Sequence, residues 1–576
     1  MTSYRAEYER WLDNPALSES EWRELHDIRN NDDEIKSRFF APLEFGTAGL
    51  RGTMGMGLRR MNVHVVRHVT QAFASVILSE GAEAAAKGVV ICYDCRINST
   101  SFAREVACVM AANGINVRIF ESLRPTPELS FAIRFYGAEA GVNITASHNP
   151  KEYNGYKVYW SDGAQLPPEH ASAIAAAMDT IEVFSGVKSM DYDEAVAQGL
   201  INTIGGETDE AFLEKVMNQS IDSDTVKRVA DRFNVVYTPF HGAGYMLVPE
   251  ALRRLGVTNL YPLPEQMIID GNFPTVKSPN PENPEGFVLA IKLARKVGAD
   301  LIIGTDPDSD RVGVITRDGD NYIPITGNQM GVLLLDYIIN ARREKGTLPE
   351  NAAVLKTIVT TEMAAKVAET NGVHIENTFT GFKFMAEKLA EYEKTGSYEY
   401  LLAYEESYGY MVGDYVRDKD AVTASMLIAE MAAHYFEKGM SLADAMRSLY
   451  EKYGFYQERT LNLVMPGLDG LEKMQQLMSN LRANPLSEIG GVAVLRQRDY
   501  KSGKLSVPEL GVVGNTEISG SNVLYYELAD GSSFIVRPSG TEPKVKVYVL
   551  VTGEDISQCK DKLERYSAFA GTLSDF

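Results

Sequence analysis

No stretch of the chain approaches the roughly 18 unbroken apolar residues that a membrane helix requires. Its first residues, Met-Thr-Ser-Tyr-Arg-Ala-Glu-Tyr-Glu-Arg, lack the apolar core of a signal peptide. No membrane association and a cytoplasmic location are therefore expected. Positive charge is in deficit: 57 Lys and Arg stand against 78 Asp and Glu, a net charge of −21. Such a field repels nucleic acid and acidic lipid surfaces, so neither is an expected partner. It leaves room for small anions, which need only a local cluster of Arg and Lys. Cysteine is scarce, with only Cys92, Cys95, Cys108 and Cys559 present. Cys92 and Cys95 form a C-x-x-C at the end of the apolar run Val89-Val90-Ile91. No second pair completes a zinc site, so the thiols read as reduced groups in or near packed structure.

What is present is ordinary globular protein, 45% apolar and 23% charged. A chain of 576 residues is too long for one core, and length alone points to about three to five domains. The first 40 residues read as helices anchored by Trp11, Leu17, Trp22 and Leu25. A helix-period stretch from Val63 to Ala86 then leads into a strand at 89–93. Helix 102–113, strand 115–121, helix 128–136 and a further strand before residue 145 continue the alternation. The pattern breaks near Gly205-Gly206 and restarts with strand 233–237, helix 245–255, strand 259–263, helix 286–297 and strand 301–303. A third round runs from helix 328–343 to helices at 420–438 and 441–452. Alternation of this length predicts sheets wound with crossover helices. After about residue 456 one helix is followed by several strands and a last helix, an α+β pattern.

Four polar loops each follow an apolar strand, the position where open α/β sheets bind ligands. The first contains Thr145-Ala-Ser-His-Asn-Pro150, with Lys157 ten residues beyond Ser147. Pro150 disfavours helix at the residue before it, so Ser147 is expected on a tight irregular loop. A hydrolase nucleophile elbow would place glycine two residues either side of the serine, where Thr145 and Asn149 stand. The second loop is Asp306-Pro-Asp-Ser-Asp-Arg311. Three carboxylates so close together are costly unless a cation compensates them, and oxygen-only ligands point to a hard ion such as magnesium; a solvated acidic turn is the alternative. An EF-hand would need Gly and Glu where Arg311 and Arg317 stand. A phosphatase with an aspartyl nucleophile would be expected to carry Thr or Val in place of Asp310.

The third loop, Glu405-Glu-Ser407-Tyr-Gly409, offers a carboxylate and a hydroxyl suited to the vicinal hydroxyls of a sugar. The fourth, Arg537-Pro-Ser539-Gly540-Thr541, combines a guanidinium fork, two hydroxyls and accessible backbone N–H groups, with Lys544 and Lys546 nearby. That inventory fits a phosphate, and no Walker sequence is present. Upstream, Phe45-Gly-Thr-Ala-Gly-Leu-Arg51-Gly52 reads equally as a Gly-rich hairpin or as backbone lying close to an anion. Together these parts describe phosphoryl transfer: a serine to carry the group, a metal site, a phosphate cradle and a hydroxyl-reading loop.

With those five motifs in order from residue 45 to 546, the chain resembles the α-D-phosphohexomutases, in particular the longer bacterial phosphoglucomutase/phosphomannomutase type. The resemblance implies three related mixed-sheet α/β domains and a C-terminal α+β domain around a central cleft. They would be a phosphoserine-bearing domain (1–205), a metal-binding domain (206–325), a sugar-recognition domain (326–455) and a phosphate-binding domain (456–576). Ser147 would carry the phosphoryl group and, with Asp306, Asp308 and Asp310, hold one magnesium ion. Arg51 and Lys157 would lie beside the transferring group, with Lys157 or His148 as general acid/base. Arg311, Glu405, Ser407, Arg537, Ser539, Gly540 and Thr541 would bind substrate.

The reaction implied is interconversion of glucose 1-phosphate and glucose 6-phosphate through a phosphoserine enzyme, with glucose 1,6-bisphosphate as intermediate and activator. Many members have Gly before the Glu-Glu-Ser triplet, where this chain has Tyr404, and Tyr408-Gly-Tyr410 replaces the Gly-His of the phosphomannomutase and phosphoglucosamine mutase branches. Mannose and pentose phosphates are therefore alternative substrates. A sugar bisphosphate synthase, a sugar phosphatase and a non-catalytic sugar-phosphate binder are the alternative functions.

Overall fold

The computed structural model of the protein describes residues 3–465, 470–539 and 544–573. The chain forms two compact units. The first comprises Met1–Thr326, Ala386–Glu391 and Ser407–Leu442; the second comprises Gly327–Met385, Tyr392–Glu406 and Ala443–Phe576.

The first unit is built on two mixed sheets. One is six-stranded, in the order Leu50–Thr53, Tyr153–Trp160, Ala140–Ile144, Val89–Tyr93, Val117–Phe120, Ile201–Ile204. Its last four strands are parallel, and Tyr153–Trp160 and Leu50–Thr53 are added antiparallel at one side. The parallel strands are the apolar runs visible in the sequence. Both faces of Val89–Tyr93 and Ala140–Ile144 are buried, as parallel strands between helix layers require. Helices Val63–Ser79 and Ser99–Ala112 supply much of that cover. The helical stretch expected to run unbroken from 63 to 86 is two helices, divided at Gly81, whose φ of +111° most side chains avoid.

Three short helices, Tyr4–Leu12, Glu19–Asp27 and Asp32–Phe39, pack into the core shared with this sheet. Ser18 and Glu21 form a reciprocal capping box at the second helix. Trp11 is fully buried and meets Phe39 and His64 edge-on. Trp22, expected as an anchor, is 41% exposed and stacks on His26 instead. Ile35 and Phe39 take its place in the core. The Gly-rich segment proves to serve packing as well as exposure. Leu50–Thr53 pairs with Tyr153–Tyr156, and a Cβ on Gly49 would lie 1.8 Å from the Tyr156 carbonyl oxygen.

The second sheet of this unit has the order Asn321–Ile325, Val312–Asp318, Leu301–Thr305, Asn234–Thr238, Asn259–Pro262. Helix Ala421–Glu437 packs on helices Ser223–Val229 and Leu247–Leu255. Asp420 caps it by accepting hydrogen bonds from the Val422 and Thr423 amides.

In the second unit the parallel strands His374–Thr378, Ala352–Thr357 and Glu399–Glu405 lie side by side in that order. The C-terminal sheet is antiparallel throughout, running Phe455–Val464, Lys544–Gly553, Ser533–Pro538, Leu524–Leu528, Val492–Asp499, Lys504–Val507, Gly511–Asn515. Helices Gly470–Ala483 and Ile556–Thr572 bury Leu477, Leu481, Leu563 and Tyr566 against Phe534, Val547 and Val549 in one core. Each such side chain contributes about 1.5–3 kcal/mol by leaving water.

Candidate active site

Strand Ala140–Ile144 ends at Thr145, and the chain then turns sharply through Ala146 and Ser147. Ser147 is a buried residue with φ of +52°, in the left-handed region. Its Oγ donates a hydrogen bond of 2.9 Å to Asp306 Oδ2, and His148 Nδ1 lies 3.3 Å from the same oxygen. Ser147 is thus brought directly onto the aspartate loop, 159 residues away in sequence.

That loop follows strand Leu301–Thr305. Asp306, Asp308 and Asp310 are all buried, and one carboxylate oxygen from each lies within 4.8 Å of the others. The Asp310 and Arg311 amides donate to Asp306 Oδ1, which fixes the turn. Thr126 and Lys157 donate to Asp308 Oδ2, at 2.9 and 2.7 Å. Asp308 Oδ1 and Asp310 Oδ1 are buried without a hydrogen-bond partner. Two buried carboxylate oxygens without hydrogen-bond donors, in a cluster this tight, fit a hard divalent cation, which the three carboxylates could hold.

Electrostatics separates the three acids. Burial and the neighbouring carboxylates push Asp306 well above the usual range. Burial opposes ionisation of Asp310 too, but Lys419, Lys157 and Arg311 outweigh it and hold this carboxyl low. Burial, followed by the Arg311 and Arg51 charges, lowers His148 well below the usual imidazole value. Arg51 itself is exposed and donates to Asn149 Oδ1 at 3.1 Å, so its guanidinium reaches the serine loop. Arg311 pairs with Glu282 at 2.7 Å.

One residue here escaped the sequence reading. Lys419 is buried, with its Nζ 3.2 Å from Asp310 and 3.0 Å from Asp418. The alternating charges of Arg417-Asp-Lys-Asp420 ahead of a helix are its only trace in the sequence. Ser407 also belongs to this unit, where the Val312 amide bonds to the Tyr408 carbonyl oxygen at 3.1 Å.

Backbone strain has gathered in the same unit. Among the described residues seven non-glycine residues have positive φ: Asn98, Ser147, Phe240, His241, Phe273, Ser309 and Tyr408. All lie in the first unit, and Ser147, Ser309 and Tyr408 are in or beside the predicted loops. Such conformations cost about 1–3 kcal/mol each and persist only where surrounding contacts over-determine them.

The second unit holds the remaining predicted residues. Glu405, expected on an exposed loop, is the last residue of its strand and is buried, accepting a 2.6 Å hydrogen bond from the Gly381 amide. The sheet takes the strand further than the apolar run alone indicates. Glu406 accepts from Thr357 and Thr360, both at 3.3 Å. Arg537 is likewise still in strand, paired with Lys546, and its Nη1 reaches the Tyr548 hydroxyl at 3.4 Å. Burial, then Glu406, pushes the Tyr548 phenol up. The Ser539 amide donates to the Lys544 carbonyl oxygen. Gly540 and Thr541 lie outside the described residues. The four cysteines are unpaired, as read from the sequence.

Family models of the phosphoglucomutase/phosphomannomutase alpha/beta/alpha domains I, II and III match residues 42–183, 210–319 and 326–453. The corresponding C-terminal domain matches residues 492–564. A phosphoglucomutase of Staphylococcus saprophyticus is 35% identical over 558 residues, 96% of this chain and 98% of its own length. One from Staphylococcus aureus is 34% identical over 566 residues, 96% of this chain and 97% of its own. Among solved structures, a phosphoglucomutase/phosphomannomutase family protein of Burkholderia thailandensis superposes with a TM-score of 0.65 at 19% identity, covering 92% of this chain and 97% of its own. The Paramecium phosphoglucomutase parafusin, in an open form, gives 0.65 at 18% identity, covering 93% and 96%. These two likenesses carry the fold alone.

Proposed function

Because this chain belongs to the phosphoglucomutase/phosphomannomutase family, we propose that it interconverts glucose 1-phosphate and glucose 6-phosphate, with Ser147 as the phosphoryl carrier. The observation that carries this reading is the Ser147 Oγ contact with Asp306 inside a buried three-aspartate cluster. A hydroxyl placed there can be esterified beside a cation, and its phosphate would then be partly neutralised. A magnesium ion held by Asp306, Asp308, Asp310 and the Ser147 oxygen would supply electrostatic stabilisation of charge on the transferring group.

The chain's own residues do the rest. The free hydroxyl of the sugar monophosphate attacks the phosphorus on Ser147. A sugar O–P bond forms as the Ser147 Oγ–P bond breaks, and the hydroxyl proton passes to a protein base. The other phosphoryl of the resulting bisphosphate then returns to Ser147 Oγ, which regenerates the phosphoenzyme and leaves the isomeric monophosphate. His148, 3.3 Å from Oγ, and Lys157, whose ammonium is engaged by Asp308 and Asp310, are the two candidates for the proton. Arg51 offers a guanidinium to the phosphoryl oxygens. Glu405 and Ser407 are assigned to sugar hydroxyls, and Arg311, Arg537, Ser539, Gly540 and Thr541 to phosphate oxygens.

The test is a panel of 1-phospho sugars of glucose, mannose and ribose, with a trace of the matching bisphosphate, followed by phosphorus NMR. Glucose 6-phosphate formed without release of inorganic phosphate is the expected product. Steady release of inorganic phosphate would identify a phosphatase, and preference for another sugar would reassign the substrate.

A further inference from the structure

Arg96 is buried, yet it belongs to none of the charge clusters described above. Its Nη2 donates to the carbonyl oxygens of Ser147 at 2.6 Å and Asn149 at 2.5 Å. Its Nη1 donates to those of Pro150 at 2.9 Å and Tyr153 at 3.0 Å. Nε faces Asp94 Oδ2 at 3.2 Å. One guanidinium therefore donates to four carbonyl oxygens of the serine loop and is ion-paired with one carboxylate. A guanidinium satisfies such a fan of acceptors because its five N–H groups are fixed in one plane; an ammonium has three and no plane.

The amide side of the serine is held by Asp94, through Thr145. The Ser147 amide donates to Thr145 Oγ1 at 2.8 Å, and that hydroxyl donates to Asp94 Oδ2 at 2.6 Å. Asp94 Oδ1 in turn accepts from the Arg96 amide and from Ser99. Asp94 thus restrains the peptide before Ser147 and Arg96 the peptide after it. Between them sits a non-glycine residue at φ +52°, a conformation that needs such restraint to persist.

The clamp has a cover from the second sheet's loops. The Phe273 ring lies over the Arg96 guanidinium, 5.2 Å from its centre, and Phe273 itself has φ of +48°. Gly271 packs so closely that a Cβ there would lie 2.5 Å from the Ile97 amide and 2.7 Å from the Cys95 carbonyl oxygen. The loop that closes over Arg96 therefore comes from the same sheet that carries the aspartates.

We propose that Arg96, backed by Asp94 and covered by Phe273, is the positioning residue that fixes the Ser147 hydroxyl for phosphoryl transfer. It meets the serine loop through backbone carbonyls only and acts through Ser147, so the proposal rests on the reading of that serine as carrier. A misplacement of the nucleophile by a fraction of an ångström reduces the rate of transfer while leaving ground-state binding of the sugar largely intact.

The experiment compares wild type with Arg96→Ala, Arg96→Lys and Phe273→Leu. Steady-state kinetics with glucose 1-phosphate are read beside the rate of Ser147 labelling by radioactive glucose 1,6-bisphosphate. Arg96→Ala is expected to lower kcat and the labelling rate together by about 100-fold with KM within about threefold of wild type, since the lost restraint acts on the transferring serine. Added guanidinium should restore part of that loss, Arg96→Lys should fall between, and Phe273→Leu should lose about fivefold in kcat by loosening the cover. A kcat within threefold of wild type in Arg96→Ala, or a loss confined to KM, or one that guanidinium leaves untouched, would overturn the assignment. If Arg96→Ala does not fold, unchanged labelling in Phe273→Leu and Arg96→Lys would do the same. Wild type that takes no label at Ser147 would instead remove the carrier reading itself.

Discussion

In the first unit Ser147, Lys157, Lys419 and three aspartates are all buried and joined by contacts of 2.7 to 3.5 Å. In the second unit Arg537 is only half-buried, and the hydrogen bond its guanidinium makes among the described residues is a long one, 3.4 Å to Tyr548. The first arrangement spends backbone strain and buried charge; the second is a strand end with ordinary φ. Groups that bear developing charge gain most when they are already oriented and dry. A group that only anchors a phosphate can stay accessible, and in a mutase it would receive the substrate in two orientations. The contrast therefore separates residues expected to set kcat from those expected to set KM.

The sharpest break in that contrast is Ser147→Ala. Loss of the carrier should remove at least about 10,000-fold of turnover while the fold survives, because the second unit's residues cannot replace a covalent step. Intact-mass measurement should show a phosphorylated fraction in wild type, discharged by sugar monophosphate, and none in the variant. Turnover near wild type in the variant would erase the distinction between the two regions.

Asp308→Asn should come next, with activity down about 1,000-fold and only partly recovered by excess magnesium, since a neutral amide leaves less charge opposite the cation. Calorimetric titration with magnesium should show weaker binding. Full activity of the wild-type protein in excess chelator would detach the aspartates from the chemistry.

Arg537→Ala tests the other side. Loss of a charge-assisted fork should cost about 2–4 kcal/mol of transition-state binding, a 30- to 1000-fold fall in kcat/KM, expressed mainly as raised KM. Serine labelling by bisphosphate should survive in part. Unchanged KM and kcat/KM would leave the loop as a strand turn.

The smallest effect concerns stability within the second unit. Burial pushes Glu458 from 4.5 to about 7, although Thr361 and Asn328 hydrogen-bond it and Lys356 lies near. A carboxyl raised on folding keeps its proton longer in the folded chain. Its contribution is fully present below pH 4.5 and is lost as pH rises through about 7. Between pH 6 and pH 8 that amounts to about 1 kcal/mol. Urea unfolding at the two pH values should show Glu458→Gln losing about 1 kcal/mol less than wild type over that interval. Equal losses would mean that water reaches this carboxylate freely.

Legibility differed from one kind of element to another. Parallel strands such as Val89–Tyr93 and Leu301–Thr305 are continuous apolar runs because both faces are covered, so they stand out in one dimension. Tyr153–Trp160, Val312–Asp318 and Phe455–Val464 were not read as strands. The first and last are long, polar and partly aromatic, and each earns its place through a partner remote in sequence. Phe455–Val464, for example, pairs along its whole length with Lys544–Gly553. Trp22 misled for the related reason that size does not report which side of a short helix meets the core.

The sequence by itself determined which chemistries were available: a serine ahead of Asn-Pro, three alternating aspartates, an Arg-Pro-Ser-Gly-Thr loop, and too few cysteines and cations for the alternatives. Residue type and local spacing settle such inventories, because acidity, donor count and turn geometry are properties of short segments. Tertiary structure alone decided who meets whom. It placed Ser147 against Asp306, brought Lys419 to Asp310, buried Glu405 at a strand end, and wrapped the carbonyls of the serine loop around Arg96. Those are meetings between residues 24 to 159 positions apart in the chain. Their energies depend on burial and orientation, which no local stretch of sequence carries.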